Sequence, residues 1–365
     1  MRIVHLVPTE IEVLHPRGGA VQRRALAMAT EQSSRGHQVT ILSPGGLSQS
    51  VSGVRVAAID LKARRPLRDL EYLWKARRAI ADIRPDVIHS HGAPLAGAII
   101  GKGPWVNVHT VDYFYYSGSR SAIGRLIYGW LLSRFDATAP VSDYCRREFL
   151  RYYGRYAPRN VEVIFNGVDL GHFRPSESAA GAAREKFSLR SYVLYVGRVN
   201  EQKGCDLLAE LPGRLPADVD LVLAGPTEQF GNGSSSPLVA GIEGAGGIYL
   251  GPVDEDDLPG LMAGASLLVL PTRRHEMFGM VLVEAGACGV PAVASRIGGI
   301  PEALGVGGLM FEPEDADEMA HAVRQLLDSP TQLSALRAAA LQNAERFSWS
   351  LIVDDYERLG QKVAL

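Results

Sequence analysis

The stretch SLLVLPTRRHEMFGMVLVEAGACGVPAVAS, Ser266–Ser295, decides the fold class. It opens on four aliphatics in a row (Leu267–Leu270), the pattern of a strand covered on both faces. A loop of Pro, Arg, His, Glu and Gly follows, and Met280–Gly289 then reads as a helix. Ala292–Ala294, after Pro291, reads as a second short buried strand. Strand, helix and strand form a βαβ unit whose strands run parallel. In open sheets of this kind, ligands bind at the carboxyl ends of strands, so the loop that carries Glu276 is the place to look for chemistry. Glu284 falls in the first turns of the helix, with its Cβ tilted back toward the loop. The N–H groups of Gly279, Met280 and Val281 precede the first intrahelical bond and offer an anion site, and Gly279 lets a ligand come close. A carboxylate beside a bound diphosphate would repel it, so the two glutamates suit hydroxyls instead. An anion together with hydroxyls describes a nucleotide sugar. The plainer alternative is a helix start favoured by acidic side chains near its positive end.

Outward from this unit the same alternation continues. In the second half, strands are expected at Tyr192–Val196, Asp220–Ala224 and Ile248–Leu250, with helices at Ala316–Leu327 and Leu333–Arg346. In the first half, strands are expected at Ile3–Val7, Gln38–Leu42, Val54–Ala58, Val87–Ser90, Trp105–His109, Ala137–Pro140 and Val161–Ile164. The helices Ala20–Arg35 and Leu67–Arg84 lie between them. Asn166–Pro175, NGVDLGHFRP, punctuates the chain with Gly, Asn, Asp and Pro and marks the joint. The fold class is therefore α/β, with two Rossmann-like doubly wound parallel-sheet domains facing a cleft.

At 365 residues the length suits two domains, and 46% hydrophobic with 21% charged residues is the usage of a globular chain. No apolar run reaches a bilayer-spanning length, and His5 and Glu10 interrupt the N-terminus before a secretory core forms. Cys145, Cys205 and Cys288 lie far apart without metal-ligand spacing, which is cytosolic usage. The net charge of −2 conceals an asymmetry. Residues 1–170 hold 23 Lys and Arg against 14 Asp and Glu, whereas the remainder hold 15 against 26. Either the first half meets something negative or two oppositely charged lobes steady each other.

Three further loops follow expected strands. In VGRVNEQKGCDLL, Arg198 and Lys203 place two cations at a strand end. The chain holds 32 Arg and only 6 Lys, so a lysine here departs from its habit and suits a phosphate point charge. In HPRGGAVQRRALAM, Gly18 and Gly19 precede a helix and could bring amides to a phosphate. The loop is not GxGxxG, which counts against a dinucleotide enzyme. In VNVHTVDYF, His109 ends a strand and Asp112 follows; His91, in PDVIHSHG, ends the preceding one. Such histidines can bond a sugar hydroxyl or relay a proton, or can simply be satisfied within the sheet.

Taken in order, the GGA loop, PDVIHSHG, NGVD, VGRVNEQKG, HEMFGMVLVEAGACGVPAVAS and GGIPE resemble the retaining glycosyltransferases of the GT4 family, which have the GT-B architecture. The ending FSWSLIVDDYERL resembles that family's closing helix, which crosses back onto the N-terminal domain. The resemblance implies an acceptor-side domain at 1–168, a nucleotide-sugar domain at 169–346 and a return helix at 347–365. It implies a hexosyltransferase-type enzyme that moves sugar with retention from a nucleoside diphosphate sugar, a UDP-sugar being expected, to a hydroxyl acceptor. No metal and no other cofactor are implied. By resemblance, Glu276 faces the transferred sugar as a catalytic residue with His109, and Glu284 holds the ribose. Arg198, Lys203, Gly18 and Gly19 meet the diphosphate, while Phe278, Gly279, Met280 and Val281 supply backbone donors beside the sugar. Asp112 and His91 fall on the acceptor side. Arg296 departs from the small or acidic residue frequent at its position and leaves sugar and acceptor preference open. A nucleotide-sugar sensor without transfer is the alternative. Nucleic acid is not an expected partner.

Two basic segments admit two readings. The helix LRDLEYLWKARRAIADIR carries Leu67, Leu70, Leu73, Trp74, Ile80 and Ile83 on one side, and YFYYSGSRSAIGRLIYGWLLSRF mixes aromatics with arginine. Either they meet an anionic membrane or a lipid-linked acceptor, placing the enzyme peripherally on the inner face. Or their apolar sides pack on the sheet, leaving a cytoplasmic enzyme with a small-molecule acceptor. The second reading is the expectation adopted.

Overall fold

The computed structural model describes residues 1–9, 11–14, 20–45, 47–64, 67–111, 121–227 and 236–364. Gly18, Gly19 and Asp112 lie outside the described residues. Two compact units divide the chain: Met1–Gly167 together with Trp349–Leu365, and Val168–Ser348.

Unit 1 is built on eight strands: β1 (Arg2–Leu6), β2 (Gln38–Pro44), β3 (Gln49–Val51), β4 (Val54–Ile59), β5 (Val87–His91), β6 (Val106–Val111), β7 (Ala137–Pro140) and β8 (Asn160–Val161). Their order is β3-β4-β2-β1-β5-β6-β7-β8, and all neighbours are parallel except β3 with β4. Unit 2 holds six: β9 (Ser191–Val196), β10 (Val219–Ala224), β11 (Ile248–Gly251), β12 (Leu267–Leu270), β13 (Ala292–Ser295) and β14 (Gly308–Phe311). They are ordered β11-β10-β9-β12-β13-β14 and wholly parallel. Both sheets are doubly wound α/β, as the alternation of buried runs and helices requires.

Two strands escape sequence reading. β3 is a polar edge piece turned back onto β4 through Ser52 and Gly53, both at positive φ (+49° and +79°), the turn that fits strand twist. β14 hides behind Gly305, Gly307 and Gly308. Pairing in β8 covers only Asn160–Val161, short of the strand expected at Val161–Ile164.

The helix Trp349–Ala364 returns to unit 1, where Ile352, Val353, Tyr356 and Leu359 join a core with Met28, Val108, Ala137 and Ala139. The Tyr356 hydroxyl accepts from Arg24 Nη2 at 2.7 Å. The outer helices correct an expectation. Helix Leu67–Ile83 buries Tyr72, Leu73, Ala76 and Ile80, leaving Leu67, Leu70 and Trp74 exposed rather than packed on the sheet.

The same face of the sheet that receives Tyr356 holds a buried polar chain. His5 Nε2 meets Gln32 Oε1 at 2.7 Å, so that ring nitrogen carries the proton. In a neutral ring Nδ1 of His5 is then bare, and it accepts from His91 Nε2 at 2.9 Å. Gln32 Nε2 reaches His89 Nε2 at 3.2 Å and completes the chain. Adding a proton to His5 would set two N–H groups against each other. Burial pushes His5 down to about 4, with Arg24 adding repulsion, and His109 down to about 3. His89 and His91 lie well below the usual range for the same first reason.

These rings stay neutral when folded but protonate near pH 6.5 when unfolded, so stability is unaffected above that pH and falls below it, down toward pH 4. With four such groups the slope near pH 5.5 should reach on the order of 5 kcal/mol per pH unit. Urea denaturation from pH 7.5 to 5 measures it, and His109→Leu should remove about one proton's share. A flat profile would contradict the neutral network.

Candidate functional site

In unit 2 the chain runs from β9 outward through β10 to β11, then returns to place β12 on the other side of β9. The strand order reverses between β9 and β12, and ligands of open α/β sheets bind at the carboxyl strand ends beside such a reversal. The loops after β9 and β12 carry Arg198, Lys203 and Glu276.

The loop after β9 is shaped from below by Tyr195, whose hydroxyl donates to the Arg198 carbonyl at 2.7 Å. Burial, with Cys205 and Glu276 nearby, holds Tyr195 well above its ordinary value and keeps it a donor. Asn200 caps the single helical turn Glu201–Lys203 by accepting from Lys203 N–H at 2.9 Å. Gly204 then takes φ +69°, and a Cβ there would sit 1.9 Å from the Pro271 carbonyl oxygen. Only glycine lets this loop press onto the end of β12.

The loop after β12 is stitched to it three times. Arg273 N–H donates to the Gln202 carbonyl at 3.1 Å, Arg273 Nη2 meets Asp206 Oδ2 at 2.5 Å, and Lys203 Nζ meets Glu276 Oε2 at 2.5 Å. The last pair is partly buried, with 26% of the lysine and 16% of the glutamate side chain exposed. Glu276 is held from behind by Gly298 and Gly299: Gly299 N–H donates to its carbonyl at 2.9 Å, and a Cβ on Gly298 (φ +62°) would lie 2.1 Å from that oxygen.

Helix Met280–Ala287 begins directly after, with Gly279 at φ +97° as its N-cap and Leu282 N–H to Gly279 O as its first bond. The Met280 and Val281 amides thus stand ahead of the intrahelical ladder. Phe278 turns its ring inward onto Phe347 (centroids 5.4 Å apart), and the residue as a whole is 2% exposed. Glu284 lies half-buried in the second turn, and burial, with the Glu284 charge second, pushes the Cys288 thiol up to about 12. Arg198 is exposed, and Arg296 pairs with Glu312 at 3.1 Å.

The structure places the two histidines differently from the sequence expectation. His109 is fully buried and stacked on Phe135 at 4.6 Å, and His91 is fully buried against His5. Both belong to the interior of unit 1, with no ring surface offered to a substrate. Tyr195, Asn200, the Asp206–Arg273 pair and the Gly298–Gly299 rest escaped the sequence reading. Only the asparagine three before the lysine and the repeated glycine offered a signal.

Comparison with known proteins follows the same division. Residues 18–172 match the family model described as Glycosyltransferase Family 4, and residues 190–329 match the one described as Glycosyl transferases group 1. The chain belongs to the family 4 glycosyltransferases. D-inositol 3-phosphate glycosyltransferase 1 of Catenulispora acidiphila is 37% identical over 222 residues, 57% of this chain and 52% of that protein. The chain thus spans about half the length of the curated relatives it matches. Among solved structures, sucrose-phosphate synthase of Thermosynechococcus elongatus superposes with a TM-score of 0.79 at 21% identity, covering 99% of this chain and 98% of that one. Anabaena HepE in complex with UDP gives 0.77 at 20%, covering 99% and 100%. These likenesses carry the fold, the GT-B arrangement of two parallel-sheet domains.

Gly298→Ala tests the support of Glu276. The methyl must displace a backbone carbonyl at an unfavourable φ, so a loss of about 2–4 kcal/mol in chemical denaturation is expected. An unchanged midpoint would mean the Glu276 loop is not held there.

Proposed function

We propose that this chain is a glycosyltransferase that moves a sugar from a nucleoside diphosphate donor, a UDP-sugar, to a hydroxyl of a small acceptor with retention and without a metal. The observation that carries this reading is the Lys203–Glu276 pair at the strand-order reversal of unit 2, beside the amides of Met280 and Val281. The ammonium and the amides suit a diphosphate, and the carboxylate suits sugar hydroxyls. The UDP complex of HepE supports the donor class, and the inositol phosphate in the curated relatives' names supports a small polar acceptor.

In the transfer, the bond from sugar C1 to the β-phosphate oxygen breaks and a bond from C1 to the acceptor oxygen forms. Negative charge grows on the leaving diphosphate, where Lys203, Arg198 and the helix amides would stabilise it. With retention the acceptor approaches the face the leaving group departs, and its proton passes to a phosphate oxygen. That route needs no protein base, which accords with the burial of His109 and His91. Glu284 would hold the ribose hydroxyls from the second turn of its helix.

Glu276→Gln should lower transfer on the order of 10²–10³-fold. UDP affinity should hold or rise, because Lys203 loses its carboxylate partner. Turnover near wild type would remove Glu276 from the site. Lys203→Ala and Arg198→Ala should weaken UDP but not uridine, more so at low salt. Equal loss for both ligands would make these residues structural. Wild-type protein that binds UDP-sugars yet never releases UDP would instead be a sensor.

A further inference from the structure

Two helices of unit 1 keep apolar stripes in water. On helix Leu67–Ile83 the outer residues Leu67, Leu70 and Trp74 are 45–61% exposed, and on helix Ala122–Leu132 Ile123, Leu126, Ile127 and Trp130 are 53–72% exposed. Seven of the twelve large hydrophobic residues exposed among the described ones thus lie on two elements. Both helices pack on the short helix Leu95–Ile99, so the two stripes share one side of the sheet.

Helix Ala122–Leu132 is apolar on its inner side as well. Gly129, Leu131 and Leu132 are buried there, with the Tyr156 ring lying where a Gly129 side chain would be. Arg125 is its one charged residue, and a helix apolar on both its inner and its outer side is ordinarily covered on both. Its four outer residues recur at i, i+3, i+4 and i+7, a continuous stripe rather than scattered exposure.

Each stripe also ends the same way. Trp74 is followed one turn later by Arg78, whose guanidinium lies 4.5 Å from the Trp74 ring centroid, and Trp130 is followed one turn later by exposed Arg134. No acidic residue occurs on the helix Ala122–Leu132. Aliphatic and tryptophan side chains along one side of a helix, with arginine at the edge of that side, suit a helix lying at a bilayer surface, its apolar side chains toward the acyl region and its guanidinium toward lipid phosphate.

We propose that this face of unit 1 docks on an anionic membrane surface. A second copy of the chain is the poorer occupant. On and directly after the two helices the exposed Arg77, Arg78, Arg125 and Arg134 outnumber the exposed Asp82, so a second copy would bring mostly like charge against like. No helix among the described residues is long and apolar enough to cross a membrane, so the contact is one of lying on the surface. The proposal is independent of the donor and acceptor assigned above.

Flotation of the full chain with vesicles tests it. Phosphatidylcholine mixed with phosphatidylglycerol should carry the protein upward at low salt, phosphatidylcholine alone should not, and binding should vanish near 1 M salt, where screening acts within about 3 Å. Leu126→Glu with Trp130→Glu should abolish flotation, while Arg78→Gln and Arg134→Gln should each weaken it about fivefold. Leu70→Glu with Trp74→Glu makes the same test on the other helix should the first pair fail to fold. All should keep wild-type circular dichroism and UDP binding. Wild-type protein that prefers neither vesicle, or a Leu126→Glu/Trp130→Glu variant that floats normally, would overturn the proposal. So would a wild-type dimer in light scattering that this variant splits, which would give the face to self-association.

Discussion

Two backbone approaches with no room for a side chain hold the candidate site together: Gly204 against the Pro271 carbonyl and Gly298 against that of Glu276. Adjacent parallel strands end about 5 Å apart, and loops leaving them would ordinarily splay. Here the loop after β9 is pressed onto the end of β12, and the loop after β12 rests on the glycines beyond β13. The two charged groups are brought together by backbone constraint first and by their attraction second. That order matters, because a partly exposed ion pair contributes little on its own, with a median near 0–1 kcal/mol. The Arg273–Asp206 pair across the same loops adds a second strut, so Lys203 and Glu276 can exchange partners without the loops coming apart.

How much of this could be read from the residues depends on what the residues encode locally. Buried runs such as Leu267–Leu270 and Tyr192–Val196 announced their strands because parallel sheets covered on both faces need uninterrupted apolar side chains. Lys203 and Glu276 could be singled out because they stand in loops that follow such runs, where ligands of open sheets bind. The support behind them was not. Gly298 reads as a turn until the carbonyl it touches is known, and Tyr195 reads as one more residue of a buried strand although its hydroxyl sets the Arg198 loop.

The histidines show the opposite error. His91 ends β5, whereas β6 runs on to Val111, two residues past the end expected at His109, and both rings face the sheet's own covering layer. Gln32, from the helix after β1, is what links His5 and His91 to His89 in one chain, and nothing in the strands foretells it. The helix Leu67–Ile83 makes a related point. Periodicity finds an apolar side, yet Tyr72 and Ala76 take the sheet while Leu67, Leu70 and Trp74 turn outward, since the sheet below selects residues by shape as well as by apolarity.

The placement of the last helix bears on the order in which the molecule is made. Unit 2 is one uninterrupted stretch, Val168–Ser348, whereas the core of unit 1 includes Ile352, Val353, Tyr356 and Leu359. During synthesis, which proceeds from the N-terminus, the second unit has all its strands before the first has its final layer. Until then Met28, Val108, Ala137 and Ala139 lack their cover, and the Arg24 guanidinium lacks the Tyr356 hydroxyl. The half of the chain that leaves the ribosome first is therefore the half that finishes folding last. Until the last helix is made, that half keeps an apolar sheet face without its cover.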